Sequence, residues 1–139
     1  MNLNSGKNLF NFAKILYPIT RSISSPGNVK SLKLVKKEIG NLKIKSFKSG
    51  SKVYSWTVPN EWHIKKAYIS DLKGKKIIDF KKNNLHVLNY SQPINKKISY
   101  DELRKHLYFI KNQPNAIPYI TSYYSKNWGF CLSFNQYKK

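Results

Sequence analysis

The spacing of apolar residues changes period along the chain. Leu9, Phe12, Ala13 and Leu16 recur at helical spacing, and Pro18 interrupts them, so a first helix is predicted there. A polar turn, ISSPGN at 23–28, follows, with Asn28 as the expected N-cap of a second helix. Val29, Leu32, Val35 and Ile39 mark that helix, and Gly40 stands where a terminating glycine belongs. Lys30, Lys33, Lys36 and Lys37 decorate its other faces and read as a solvated surface. Beyond Gly40 the period falls toward two. Leu42, Ile44 and Phe47 predict a strand, and Ser49, Gly50 and Ser51 a turn.

The densest run is KVYSWTVPNEWHIKKAYI at 52–69. Val53, Tyr54, Trp56 and Val58 read as a strand of β-branched and aromatic residues, which Pro59 ends because it has no N–H to donate. Trp62 and Ile64 resume the alternation toward Tyr68 and Ile69. Trp56 and Trp62 are expected to pin a β-corner from within the core. The DLKG turn at 71–74 should join Tyr68 and Ile69 to the strand IIDF at 77–80 as a hairpin. Leu85 to Leu88 predict another short strand, closed by Gln92 and Pro93.

Ser99 and Glu102 have capping-box spacing, and Leu103, Leu107 and Ile110 give the helix that follows its buried stripe. Ile120 to Tyr124 predict a strand. Trp128, Phe130, Leu132 and Phe134 alternate with Gly129, Cys131 and Ser133, so the last segment reads as a strand with one heavily apolar face. The resulting fold class is α+β: two N-terminal helices, then a β-rich, mixed or antiparallel, insert-like domain with one short helix.

Charge alters this picture less than its size implies. The 139 residues carry a formal net charge of +20. Only Arg21 and Arg104 are arginines, whereas phosphate and base recognition favours the arginine fork. A residue bias toward Lys, Asn and Ile accounts for the charge, and non-specific adhesion to polyanions at low salt is the expected consequence. Cys131 is the sole cysteine, so one chain can build no disulfide. No apolar run approaches a membrane span and no signal-peptide core is visible, so a cytoplasmic protein is expected.

The motifs of catalysis are absent: no phosphate loop, nucleophile elbow or HExxH. His63, His86 and His106 lie far apart, and Glu61 beside His63 is at most half a metal site. Asp101 and Glu102 belong to the helix cap, Asp71 and Asp79 to the hairpin, and Cys131 reads as an inert buried thiol. No catalytic, cofactor-binding or metal residue is assigned.

Five runs in series carry a resemblance: LYPITRSI at 16–23, SWTVPNEW at 55–62, DFKKNNLHV at 79–87, IPYITSYY at 117–124 and WGFCLS at 128–133. They resemble the N-terminal region of the bacterial aminopeptidase-like family associated with polysaccharide biosynthesis, whose core is a domain of unknown function related to co-catalytic zinc aminopeptidases. The resemblance implies an α/β catalytic domain carrying an inserted β domain. Residues 1–50 would supply the helical part and first strand of an incomplete catalytic domain. Residues 51–116 would be the insert, and 117–139 the strands returning to the catalytic domain. In such a parent, zinc activates a water for attack on a peptide or related amide bond, with a carboxylate as base. The family's metal motifs are expected after the last strand, so no zinc ligand is carried onto this chain. The family often has His where Phe134 stands, and SSPG at 24–27 replaces a more glycine-rich turn.

The expectation is therefore an N-terminal, non-catalytic part of a zinc hydrolase whose partner is the remaining catalytic portion. The apolar face of the last strand should lie uncovered without it. The competing reading is a stand-alone basic module for acidic glycans or nucleic acid.

Overall fold

The computed structural model describes residues 6–123 and 125–139. The chain forms two compact units, Met1–His63 and Ile64–Lys139. Helices and small two-stranded sheets alternate, which is the expected α+β class.

In the first unit, α1 spans Gly6–Leu16 and α2 spans Pro26–Glu38. The N-cap of α2 is Ser25, not Asn28: the Ser25 hydroxyl accepts from the Asn28 N–H at 3.2 Å. The reason lies in Pro26, which takes the first helical position, where its missing N–H costs nothing. Leu42, Ile44 and Phe47 form no strand. The strand expected through Tyr54 instead doubles back, with β1 (Lys52–Val53) pairing antiparallel with β2 (Trp56–Thr57). Tyr54 stands at the reversal with φ of +54°. The pairing extends outward, with Val58 N–H donating to the Ser51 carbonyl at 2.9 Å and Gly50 N–H to the Val58 carbonyl at 2.8 Å. Trp56 remains 48% exposed and Trp62 half-buried, so neither is the core tryptophan expected.

In the second unit the predicted hairpin is present. β3 (Tyr68–Ser70) pairs with β4 (Lys76–Asp79), with Tyr68 opposite Asp79 and Ile69 opposite Ile78. Asp71 builds the turn: its Oδ1 accepts from the N–H groups of Lys73 and Lys75, both at 2.9 Å. Leu85 and His86 lie in a 3-10 turn, Asn84–His86, rather than a strand, because the Asn83 side chain caps it by accepting from the Leu85 N–H at 2.9 Å. Only Val87 and Asn89 make isolated bridges in this stretch.

The helix after Ser99 is shorter than its apolar stripe implied. α3 covers Tyr100–Arg104, and Leu107 already lies in β5 (Leu107–Tyr108), parallel to β6 (Phe130–Cys131). Of the strand expected at 120–124, Thr121 makes one parallel bridge to Asn89, and Tyr124 lies outside the described residues. The final alternating run is a strand only at β6. Ser133 then caps α4 (Phe134–Tyr137) in a complete capping box with Gln136.

β6 is the centre of this unit. β5 pairs on one side, and Val87 bridges it antiparallel. Phe130 N–H donates to the His106 carbonyl at 2.9 Å, Leu132 N–H to the Tyr108 carbonyl at 3.0 Å, and Leu88 N–H to the Gly129 carbonyl at 3.0 Å. Ile78, Val87, Leu88, Phe130, Cys131 and Leu132 form the buried apolar core. Phe130 and Leu132 are thus covered within the chain, and the Phe134 ring packs at 5.3 Å from Phe109. The apolar face expected to lie uncovered on the last strand is therefore largely covered, with Phe130 and Leu132 buried and Trp128 and Phe134 half-buried.

Candidate functional site

Titratable and aromatic side chains converge where α3 hands over to β5. Ser99 starts α3, its hydroxyl accepting from the Glu102 N–H at 3.3 Å. The Glu102 carboxylate turns to the Lys105 ammonium at 3.0 Å, and its other oxygen lies 3.6 Å from His106 Nε2. Lys105 chiefly, with a smaller contribution from His106, holds this carboxyl below the usual range. His106 Nδ1 donates to the Trp128 carbonyl at 2.9 Å, and its ring stacks on the Trp128 indole with centroids 3.7 Å apart. Lys96 lies over the same indole at 5.9 Å. Asn127 completes the group, accepting from the Trp128 N–H at 2.8 Å and donating to the Tyr108 hydroxyl at 3.1 Å.

This cluster forms a clamp. It holds the residue before Gly129 against the strand that pairs with β6. The 3.6 Å between His106 Nε2 and Glu102 is too long for a hydrogen bond. Among the described residues no buried side-chain nitrogen or oxygen lacks a partner, so no orphaned polar atom marks a ligand position. A shallow apolar groove of about 390 Å3 runs nearby, between residues 107–110 and 118–120.

The other sequence candidates are also accounted for locally. Glu61 and His63 are exposed. The buried His86 donates from Nδ1 to the Cys131 carbonyl at 2.8 Å and so fastens the 3-10 turn to β6. Asp79 pairs with Lys76 at 2.9 Å and accepts from the Lys81 N–H at 3.1 Å; these bonds, Lys76 first, lower its pKa. Asp101 lies 3.9 Å from Arg104 on the surface. Cys131 is fully buried, and burial pushes its thiol up to about 11. Among the described residues no three of His, Cys, Asp and Glu come together in the way a structural zinc site requires. Sequence reading missed the structural pair Ser133 and Gln136, although their spacing is that of Ser99 and Glu102.

Similar proteins locate the chain. A polypeptide from Clostridium acetobutylicum, provisionally named a polysaccharide biosynthesis protein with aminopeptidase-like domain, is 47% identical over 133 residues. That match covers 96% of this chain but 30% of the relative. A crystal structure of a provisionally named peptidase from the same organism superimposes with a TM-score of 0.91 at 47% identity, again over 96% of this chain and 32% of the other. The chain thus spans about a third of the length of these relatives. No helix among the described residues is long and apolar enough to cross a membrane. Residues 61–139 match the family described as Domain of unknown function (DUF2172), and on that match, over more than half its length, this chain belongs to the DUF2172 family.

Proposed function

We propose that the chain is a non-catalytic, scaffolding part of an aminopeptidase-like zinc hydrolase that cleaves a peptide or related amide bond, in the cytoplasm and in connection with surface polysaccharide biosynthesis. The observation that carries this reading is the near-complete match to proteins three times as long, one named for an aminopeptidase-like domain and the other as a peptidase. In this reading, zinc and its ligands belong to the two thirds of the relatives outside the match. The described residues supply folded support and no metal centre.

The test exchanges the matched third of the Clostridium relative for this chain. The chimera is expected to retain zinc and to hydrolyse aminoacyl anilides or peptides, while the 139-residue chain alone does neither. Turnover or stoichiometric zinc in the isolated chain would overturn the proposal, as would a metal-free, inactive parent.

A further inference from the structure

We propose that the apolar face of α1 is an interdomain docking surface, covered by the two thirds of the aminopeptidase-like polypeptide that this chain does not match; the inference rests on the reading given under Proposed function. α1 is an 11-residue amphipathic helix with no buried residue. On its helical wheel Leu9, Phe10 and Ala13 adjoin Phe12 and Leu16, with Lys7, Asn11 and Lys14 opposite; Ile15 lies outside this face, and the Lys14 ammonium sits 4.4 Å from the Phe10 ring centroid at its edge. Phe12 and Leu16 are partly covered, whereas Leu9 is 53% and Phe10 60% exposed. A helix this short is marginal in water and owes its stability to a packed apolar face. That packing is missing from its own unit. Among the described residues of Met1–His63 no hydrophobic side chain is buried, and the only buried residues are Ser22, Ser25 and Ser31. The length of the relatives supplies the occupant: the solved peptidase shares this fold at a TM-score of 0.91, and the match covers only 32% of that chain.

Backbone hydrogen exchange tests the inference without reference to activity. In the 139-residue chain the α1 amides are expected to exchange close to the unstructured rate. In the chimera they should be slowed by roughly a hundredfold. Phe10→Asp should remove that protection and lower the chimera's melting temperature while leaving the isolated chain's melt unchanged. Asn11→Asp, on the polar face, should do neither. If the chimera does not fold, the same comparison is made between the full-length Clostridium relative and its matched third alone. Strong protection in the isolated chain, whether from its own residues or from a second copy seen by sedimentation, would overturn the inference. So would binding of α1 to anionic phospholipid vesicles in preference to protection in the chimera, or unprotected α1 amides in the full-length proteins. An inactive chimera with protected α1 amides would sink the hydrolase reading and leave the docking surface standing.

Discussion

Gly129 occupies a position where no side chain fits. A Cβ there would lie 2.6 Å from the Tyr108 ring and 2.8 Å from the His106 carbonyl, which already accepts from Phe130 N–H. Gly129→Ala must therefore push the strand pairing apart. We predict a loss of about 1–3 kcal/mol in urea denaturation of the second unit, the usual range for overpacking. Two residues on, Cys131 offers a titration test. The folded thiol, pushed up to about 11, holds its proton more tightly than an unfolded thiol near about 8.5. Its contribution is intact below that lower value and is lost as pH rises toward the folded one. The alkaline fall in stability should be shallower in Cys131→Ala than in the parent, and the native thiol should resist a disulfide reagent until the chain unfolds. Rapid labelling of the native protein would contradict this placement.

Two turns show how one backbone conformation can suit one residue and strain another. Gly74 and Tyr54 have φ values of +83° and +54°. Glycine adopts this region freely, whereas an L-residue with a Cβ is disfavoured by roughly 1–2 kcal/mol. Tyr54 is fully exposed, so no packing among the described residues offsets that cost. Tyr54→Asn should raise stability by about 0.5–1 kcal/mol and Gly74→Ala should lower it by about 1 kcal/mol, both read from thermal melts. The same contrast explains what the sequence disclosed. The β3–β4 hairpin was legible because Asp71 and Gly74 are the residues its turn requires, and α1 because its spacing is purely helical. The β1–β2 reversal was not, since nothing in Tyr54 and Ser55 announces a turn. The end of the chain misled for another reason: alternation implies one wet face, but β6 is buried on both faces, and the Ser133–Gln136 box stops it after two residues. The local roles of the acidic residues at 71, 79, 101 and 102 were more readable, because each has a partner within four residues along the chain.

At the scale of the whole molecule, charge and core are distributed differently. The +20 net charge is the excess of 24 lysines and two arginines over six acidic residues, so DNA or acidic glycan should bind mainly by counterion release. Log affinity is expected to fall steeply with log salt and to be indifferent to sequence; sequence preference at physiological salt would favour a nucleic-acid module instead. Among the described residues all six buried hydrophobic side chains belong to Ile64–Lys139 and none to Met1–His63. Local stability follows buried apolar contact and paired backbone, so the two units should open with very different free energies. Lysines occur throughout both, which makes trypsin an even-handed probe of opening. Under native conditions we predict cleavage first within residues 6–63, leaving a resistant product that begins near Ile64 and retains the His106–Trp128 clamp. Where cleavage follows the open population, a difference of about 3 kcal/mol between units gives roughly a hundredfold difference in rate. If trypsin instead removes the second unit first and spares α1 and α2, the helices have cover within this chain, and the core described around β6 does not govern its stability.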